Sequence, residues 1–132
     1  FQATGITGNE AVASFFVTTA QSKVSQGALA LFTRGILCNI CVCLAVWCSV
    51  RLKDEAARLI MVVWCILIFM ICGFEHSIAN MFYLPAGILR SGGAEVTWLV
   101  FLRNLGPVTL GNMSGGCGLG VILYMLYGKS SQ

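Results

Sequence analysis

Apolar residues in this chain gather in long runs, the first interrupted by Arg34 and Asn39 and the last by Arg103 and Asn104, without the period-two alternation of a half-buried strand or the single stripe of a surface helix. The runs cover residues 24–50, 56–72, 81–89 and 97–127. The first and last are long enough to cross ~30 Å of hydrocarbon as helices, a crossing that takes ~20 residues. The second lies near the short limit, and the third is far below it. Between those two stands Gly73-Phe74-Glu75-His76-Ser77-Ile78-Ala79-Asn80, which holds a carboxylate, the only imidazole of the chain, a hydroxyl and a carboxamide. Residues 56–89 are too many for one straight crossing and too few for two with a loop. The pattern therefore predicts a discontinuous span: a long half-helix, an unwound polar turn and a second half-helix. Irregular backbone at membrane depth is tolerated only where protein or a water-filled cavity surrounds it. Polar groups there are costly and usually functional.

The flanks of the runs predict the connections. Residues 1–22 are rich in Thr, Ser and Gly and read as an exposed loop, with at most a short helix over residues 11–21. Arg51-Leu52-Lys53-Asp54-Glu55 is a short charged link, where Asp54 can cap the next helix by accepting backbone N–H bonds. Residues 90–94 read as a turn, and residues 128–132 as a polar tail. The last run carries Gly106, Gly111, Gly115, Gly116, Gly118 and Gly120. The 111/115 and 116/120 spacings let helix backbones approach closely where lipid supplies no hydrophobic drive, within a subunit and between subunits. Counting the broken span as one crossing, the 51–58 link and the tail with Lys129 share a side, cytoplasmic by the positive-inside rule. Arg90 and Arg103 oppose that assignment. The polar start, with no basic segment leading into an apolar one, does not read as a signal peptide. With no initiator Met and no span before Lys23, the expectation is a chain that begins in the middle of something larger.

Composition agrees with a membrane protein. Of 132 residues, 58% are hydrophobic and 10% charged, against roughly 25% charged in soluble domains. The net charge of +3 comes without a Lys/Arg cluster, which excludes a nucleic-acid surface. Six of the seven cysteines fall in apolar runs and Cys117 in a Gly-rich stretch, where free Cys packs as a small hydrophobe. Cys38 and Cys41 form a C-x-x-C, but with one His and no second such motif, no metal site is expected. No Ser-His-acid arrangement, P-loop or dinucleotide fingerprint is present, so no enzyme and no cofactor are expected. A haem would lack a second ligand.

His76 is the leading functional candidate. Its unperturbed pKa near ~6.5 allows proton exchange at working pH, and burying it must be justified by partners. The plainer alternative is a histidine that only shapes the bundle. Glu75, Asn80 and Asn112 are read as supports that satisfy backbone groups freed by the break, with Gly73 and Ser77 part of the same turn. Lys23, at the mouth of the first run, reads equally as an interfacial anchor. Phe69 lies two helical turns before His76 on roughly the same face, a position that also suits lipid or core.

Asn39 with Val42-Cys43-Leu44-Ala45-Val46-Trp47, then residues 73–81, then Asn104-Leu105-Gly106-Pro107-Val108-Thr109-Leu110-Gly111-Asn112 closely resemble the formate/nitrite transporter family, in order and spacing. The likeness spans roughly residues 23–127. It implies an all-α, aquaporin-like inverted-repeat bundle, assembled as a homo-pentamer with one pore per subunit, in the plasma or inner membrane. Only the second repeat is matched, so residues 23–127 would be one half of a channel domain, needing the first repeat to enclose a pore. The resemblance implies that His76 is the central pore histidine, Phe69 a constriction aromatic, and Val42 and Asn39 its neighbours. It places Lys23 near the pore as an attractor of anions. The implied solutes are small monovalent anions of weak acids, formate, nitrite or hydrosulfide among them, moving with or without protons. A neutral-solute channel of the aquaporin kind and a membrane anchor of a redox enzyme stand as the alternatives.

Overall fold

The computed structural model describes residues 9–92 and 96–128, and those residues form five helices joined by short links, with no strand among them. The first, α1 (Glu10–Val24), is capped by Asn9, whose side chain accepts from the Ala11 N–H at 3.0 Å. The short helix allowed over residues 11–21 is thus present and longer, from Glu10 to Val24, the exposed-loop reading is corrected over that stretch, and residues 1–8 lie outside the described residues. Ala13, Phe16 and Ala20 are buried, spaced three and four apart so that they share one helical face. Their Thr- and Ser-rich surroundings hid that stripe. Val24 ends α1 and does not open the first crossing. That crossing is α2 (Ala28–Arg51), entered through Gly27.

Next comes α3 (Glu55–Ile71), whose cap is the expected one: the Asp54 carboxylate accepts from the Ala57 N–H at 2.7 Å. The helix ends at Cys72, and Gly73 takes φ +64°. Gly73 donates its N–H to the Met70 carbonyl and Phe74 donates to that of Phe69, at 3.2 and 3.0 Å. This paired closure needs a left-handed residue, which is why glycine stands there. After the break, α4 (Ser77–Ser91) runs to Gly92, again left-handed. The turn expected at 90–94 therefore starts two residues later, and residues 93–95 lie outside the described residues. Finally α5 (Trp98–Tyr127) starts from Thr97, whose hydroxyl accepts from the Val100 N–H. Of the expected tail, residues 129–132, with Lys129 of the topology argument, are outside the described residues.

Two helices, α2 and α5, are each long and apolar enough to cross a membrane. α3 and α4, with 17 and 15 residues, reach only about 26 and 23 Å at 1.5 Å per residue. Although consecutive, they do not pack along each other: α3 leans on α2, while α4 leans on α1 and α5. A hairpin would pair them, and a single span broken in the middle would not. The discontinuous-span expectation accounts for this arrangement.

The tightest contact is between α2 and α5. A Cβ on Gly35 would stand 2.8 Å from the Val108 carbonyl oxygen, and one on Gly111 or Gly115 would collide with the carbonyl of Phe32 or Ile36. Gly116 abuts the Asn39 amide, whereas Gly106, Gly118 and Gly120 face open space. So three of the six glycines do the expected work against α2. Gly111→Ala is expected to push the helices apart, at a cost of about 1–3 kcal/mol or more, since backbone is what must move. Gly118→Ala should be neutral or slightly stabilising through helix propensity. Thermal unfolding of the two variants in detergent, read by size-exclusion chromatography, checks the contrast.

Between α2 and α3, Cys48 and Cys65 are buried and all seven cysteines are free thiols. Cys41 and Cys72 lie seven residues from that pair on the opposed helices, the spacing at which an antiparallel seam repeats. Much of the rest of α3 is apolar and exposed, including Leu59, Ile60, Val63, Trp64 and Ile71. A continuous exposed apolar surface of this kind marks contact with lipid or with further protein.

Candidate functional site

The site is the break between α3 and α4 together with what closes over it. Unwinding residues 72–76 strands backbone groups that a helix would have satisfied internally, and at membrane depth no water is available to replace those bonds. Asn112 of α5 meets most of that need. Its side-chain oxygen accepts from the Ser77 N–H and the Ser77 hydroxyl, both at 2.9 Å. Its amide nitrogen donates to the carbonyls of Glu75 and Gly35, also at 2.9 Å each. Two bonds accepted and two donated exhaust what a carboxamide can do. In addition, Asn39 donates to the Asn112 backbone carbonyl at 2.6 Å. One side chain thereby ties α2, the break and α4 to α5.

Glu75 does something other than expected. Among the described residues its side chain accepts from no freed backbone N–H. It is 2% exposed, and its two oxygens accept from the Lys23 ammonium at 3.1 and 2.9 Å. The Asn80 amide donates to the same carboxylate at 2.7 Å and to the Asn104 side-chain oxygen at 2.9 Å. Asn104 in turn donates to the Lys23 carbonyl at 2.9 Å, closing a ring across α1, the break, α4 and α5. Asn80 is fully buried and its side-chain oxygen has no partner among the described residues. Lys23 sits in the last turn of α1 with its side chain only 16% exposed. It is held inside the protein by the ion pair and does not reach out as an interfacial anchor.

His76 occupies the N-cap position of α4 but makes no capping bond with its side chain. Asn112 performs the capping, and the imidazole is left to stack on Phe69, ring centroids 6.2 Å apart and planes 29° apart. Both rings border an open groove of about 700 Å³, together with Lys23, Arg34, Glu75 and Tyr83. Gly73 lines it too, while Asn39 and Val42 are not among its walls. Chemically, the arrangement offers a half-buried imidazole, an aromatic face and the N-terminal end of α4, which carries partial positive charge.

Two residues of this site were not singled out from the sequence. Asn104 had a readable signal: it stands eight residues before Asn112 on the same helical face, inside an otherwise apolar run. Arg34 had another, since an ionisable residue within a span is a functional candidate by default.

Comparison with known proteins gives a consistent result. The model of the formate/nitrite transporter family matches residues 1–126. The chain is 43% identical over 114 residues to the uncharacterised transporter YwcJ of Bacillus subtilis, covering 86% of this chain and 44% of that protein. It is 39% identical over 99 residues to the nitrite transporter NirC of Escherichia coli, covering 75% and 37%. A solved pentameric formate channel with formate bound superposes with a TM-score of 0.80 at 30% identity, over 87% of this chain and 52% of that one. The chain thus spans about half, or less, of the length of each. The fold is the all-helical, aquaporin-like one of that channel.

Proposed function

We propose, from the premise that this chain belongs to the formate/nitrite transporter family and is a membrane protein, that it forms part of a channel for small monovalent anions of weak acids. His76 and Phe69 border the solute's path, and Lys23, Glu75, Asn80 and Asn112 hold the broken span open. The observation that carries this reading is the stacked His76–Phe69 pair on the groove, with the backbone beneath it served from α5.

The physics of an anion in such a place is restrictive. A bare carboxylate or nitrite ion loses its hydration at an apolar constriction, at a cost of many kcal/mol. The N-terminal end of α4 offsets part of that cost. Picking up a proton removes the rest, because a neutral acid passes an aromatic ring with little penalty. Among the described residues at the groove, the imidazole of His76 is the group outside an ion pair whose ordinary pKa lies near working pH. Asn39 and Val42, absent from the groove walls here, belong to the path only on the side that a complementary repeat would complete.

The full reading is a homo-pentamer spanning the plasma or inner membrane several times, each pore closed by a first repeat that faces this one. The exposed apolar face of α3 supports contact with lipid or neighbouring subunits. Formate, nitrite and hydrosulfide are the solutes to test. The intact protein in liposomes is expected to carry them faster as pH falls, and His76→Asn to lower that pH-dependent flux by ~100-fold or more, the scale of general acid–base assistance. Unchanged pH-dependent flux in the variant sinks the proton role. Passage of water or glycerol with exclusion of anions sinks the anion reading.

A further inference from the structure

The Lys23 ammonium is the obvious cation for drawing an anion toward His76, yet its charge is already matched. Both oxygens of Glu75 contact it, at 3.1 and 2.9 Å, and the two side chains are 16% and 3% exposed. Seen from the groove the pair is close to neutral, and its field falls off as a dipole's does. Among the described residues the groove has one other fixed cation. Arg34, on α2, lines the same walls as His76 and Phe69. It is exposed and makes no ion pair among the described residues.

The backbone beneath Arg34 is set firmly. Gly35 packs against the Val108 carbonyl and Gly111 of α5, and its own carbonyl receives the Asn112 amide. The root of the arginine is therefore held by the same carboxamide that shapes the break, while its guanidinium remains unpaired. A charge in a cleft with low-dielectric walls raises the local concentration of counter-ions and speeds their arrival. Guanidinium also has a shape. Its planar fork donates two parallel bonds to an anion with two coplanar oxygens, which a spherical anion cannot accept in the same way.

We infer that Arg34 is an anion-recruiting residue of this groove, and that it favours planar two-oxygen anions, of the formate and nitrite kind, over hydrosulfide. The inference rests on the proposed channel function. Lys23 is then the residue that holds Glu75, and Arg34 supplies the field.

The test uses the intact protein in liposomes of neutral lipid, with initial flux measured against anion concentration at low and high salt. Arg34→Gln is expected to raise the half-saturating formate concentration about tenfold at low salt, with maximal flux changed less than about twofold, and to flatten the salt dependence. Arg34→Lys is expected to restore the salt dependence but not the preference for formate over hydrosulfide. Thermal unfolding matching the parent shows that both variants are folded. An Arg34→Gln protein with unaltered half-saturation and salt dependence overturns the inference alone. So does one whose sole change is the loss of co-purified phospholipid, which would make Arg34 a lipid anchor. A parent protein that carries no anion overturns the channel reading and this inference together.

Discussion

Glu75→Leu is expected to cost the folded protein about 3–5 kcal/mol, because it leaves the Lys23 ammonium buried without a counter-charge. Lys23→Met should be comparably damaging for the mirror reason, since Glu75 is the more deeply buried of the two. The informative variant is the double one. Removing both charges leaves apolar side chains of similar volume in the gap and no stranded ion, so its loss should be well short of the sum of the single losses. A coupling of about 0.5–3 kcal/mol between the two positions is the expected size for groups in contact. Equilibrium unfolding in mixed micelles measures all three. Strictly additive losses would show that the ion pair is not what stabilises the break. The asparagines temper the recovery: Asn80 donates to Glu75 and Asn104 accepts from Asn80. Even the double variant leaves one of their bonds unmade.

Asn112→Ala ranks close behind. It releases the Ser77 N–H and the carbonyls of Glu75 and Gly35 at once. The Gly35 carbonyl keeps its partner within α2, but the Ser77 N–H and the Glu75 carbonyl are left unpaired at ~1–3 kcal/mol each, so a total of about 2–6 kcal/mol is expected. Asn112→Leu, which fills the space, should recover packing but not the hydrogen bonds. The consequence reaches the solute path as well: with its cap gone, the first turn of α4 frays and His76 loses its fixed place beside Phe69. Hydrogen exchange at the amides of residues 74–80 should therefore accelerate in Asn112→Ala, together with a fall in anion flux. Protection equal to the parent's would mean that another group caps α4.

Much of the architecture was legible from the apolar runs. The limits of α3 and α5, the Asp54 cap and the glycine at the break all followed from local pattern, because caps and half-helix lengths depend on neighbours in sequence. α1 was less visible. Its buried stripe of Ala13, Phe16 and Ala20 is short and set among hydroxyl residues, and what makes it a helix is packing on α4, where Gly87 lets Ala20 come close. The site itself divides the same way. That Glu75 and His76 stand in a break is a local fact. That Glu75 is bound to Lys23, 52 residues away, is a tertiary one, and nothing near Lys23 distinguishes a buried partner from a snorkelling anchor. For the same reason the family resemblance named Lys23 as an attractor of anions without showing where its charge goes.

The ring around the break also sets an order of assembly. Bonds of that ring and of Asn112 join residues 52, 73, 77 and 81 positions apart, and Asn104 and Asn112 both lie on α5. Until α5 has been synthesised and inserted, the Ser77 N–H and the Glu75 carbonyl lack the partner that satisfies them in the finished structure. Contacts this distant in sequence form late, after the loop-closure entropy has been met. The half-built chain must then carry the broken span through an interval in which its polar groups rely on water or on other machinery of the membrane. Docking of α5 against the glycine seam of α2 ends that interval, so the contact that satisfies the break also sets His76 in place.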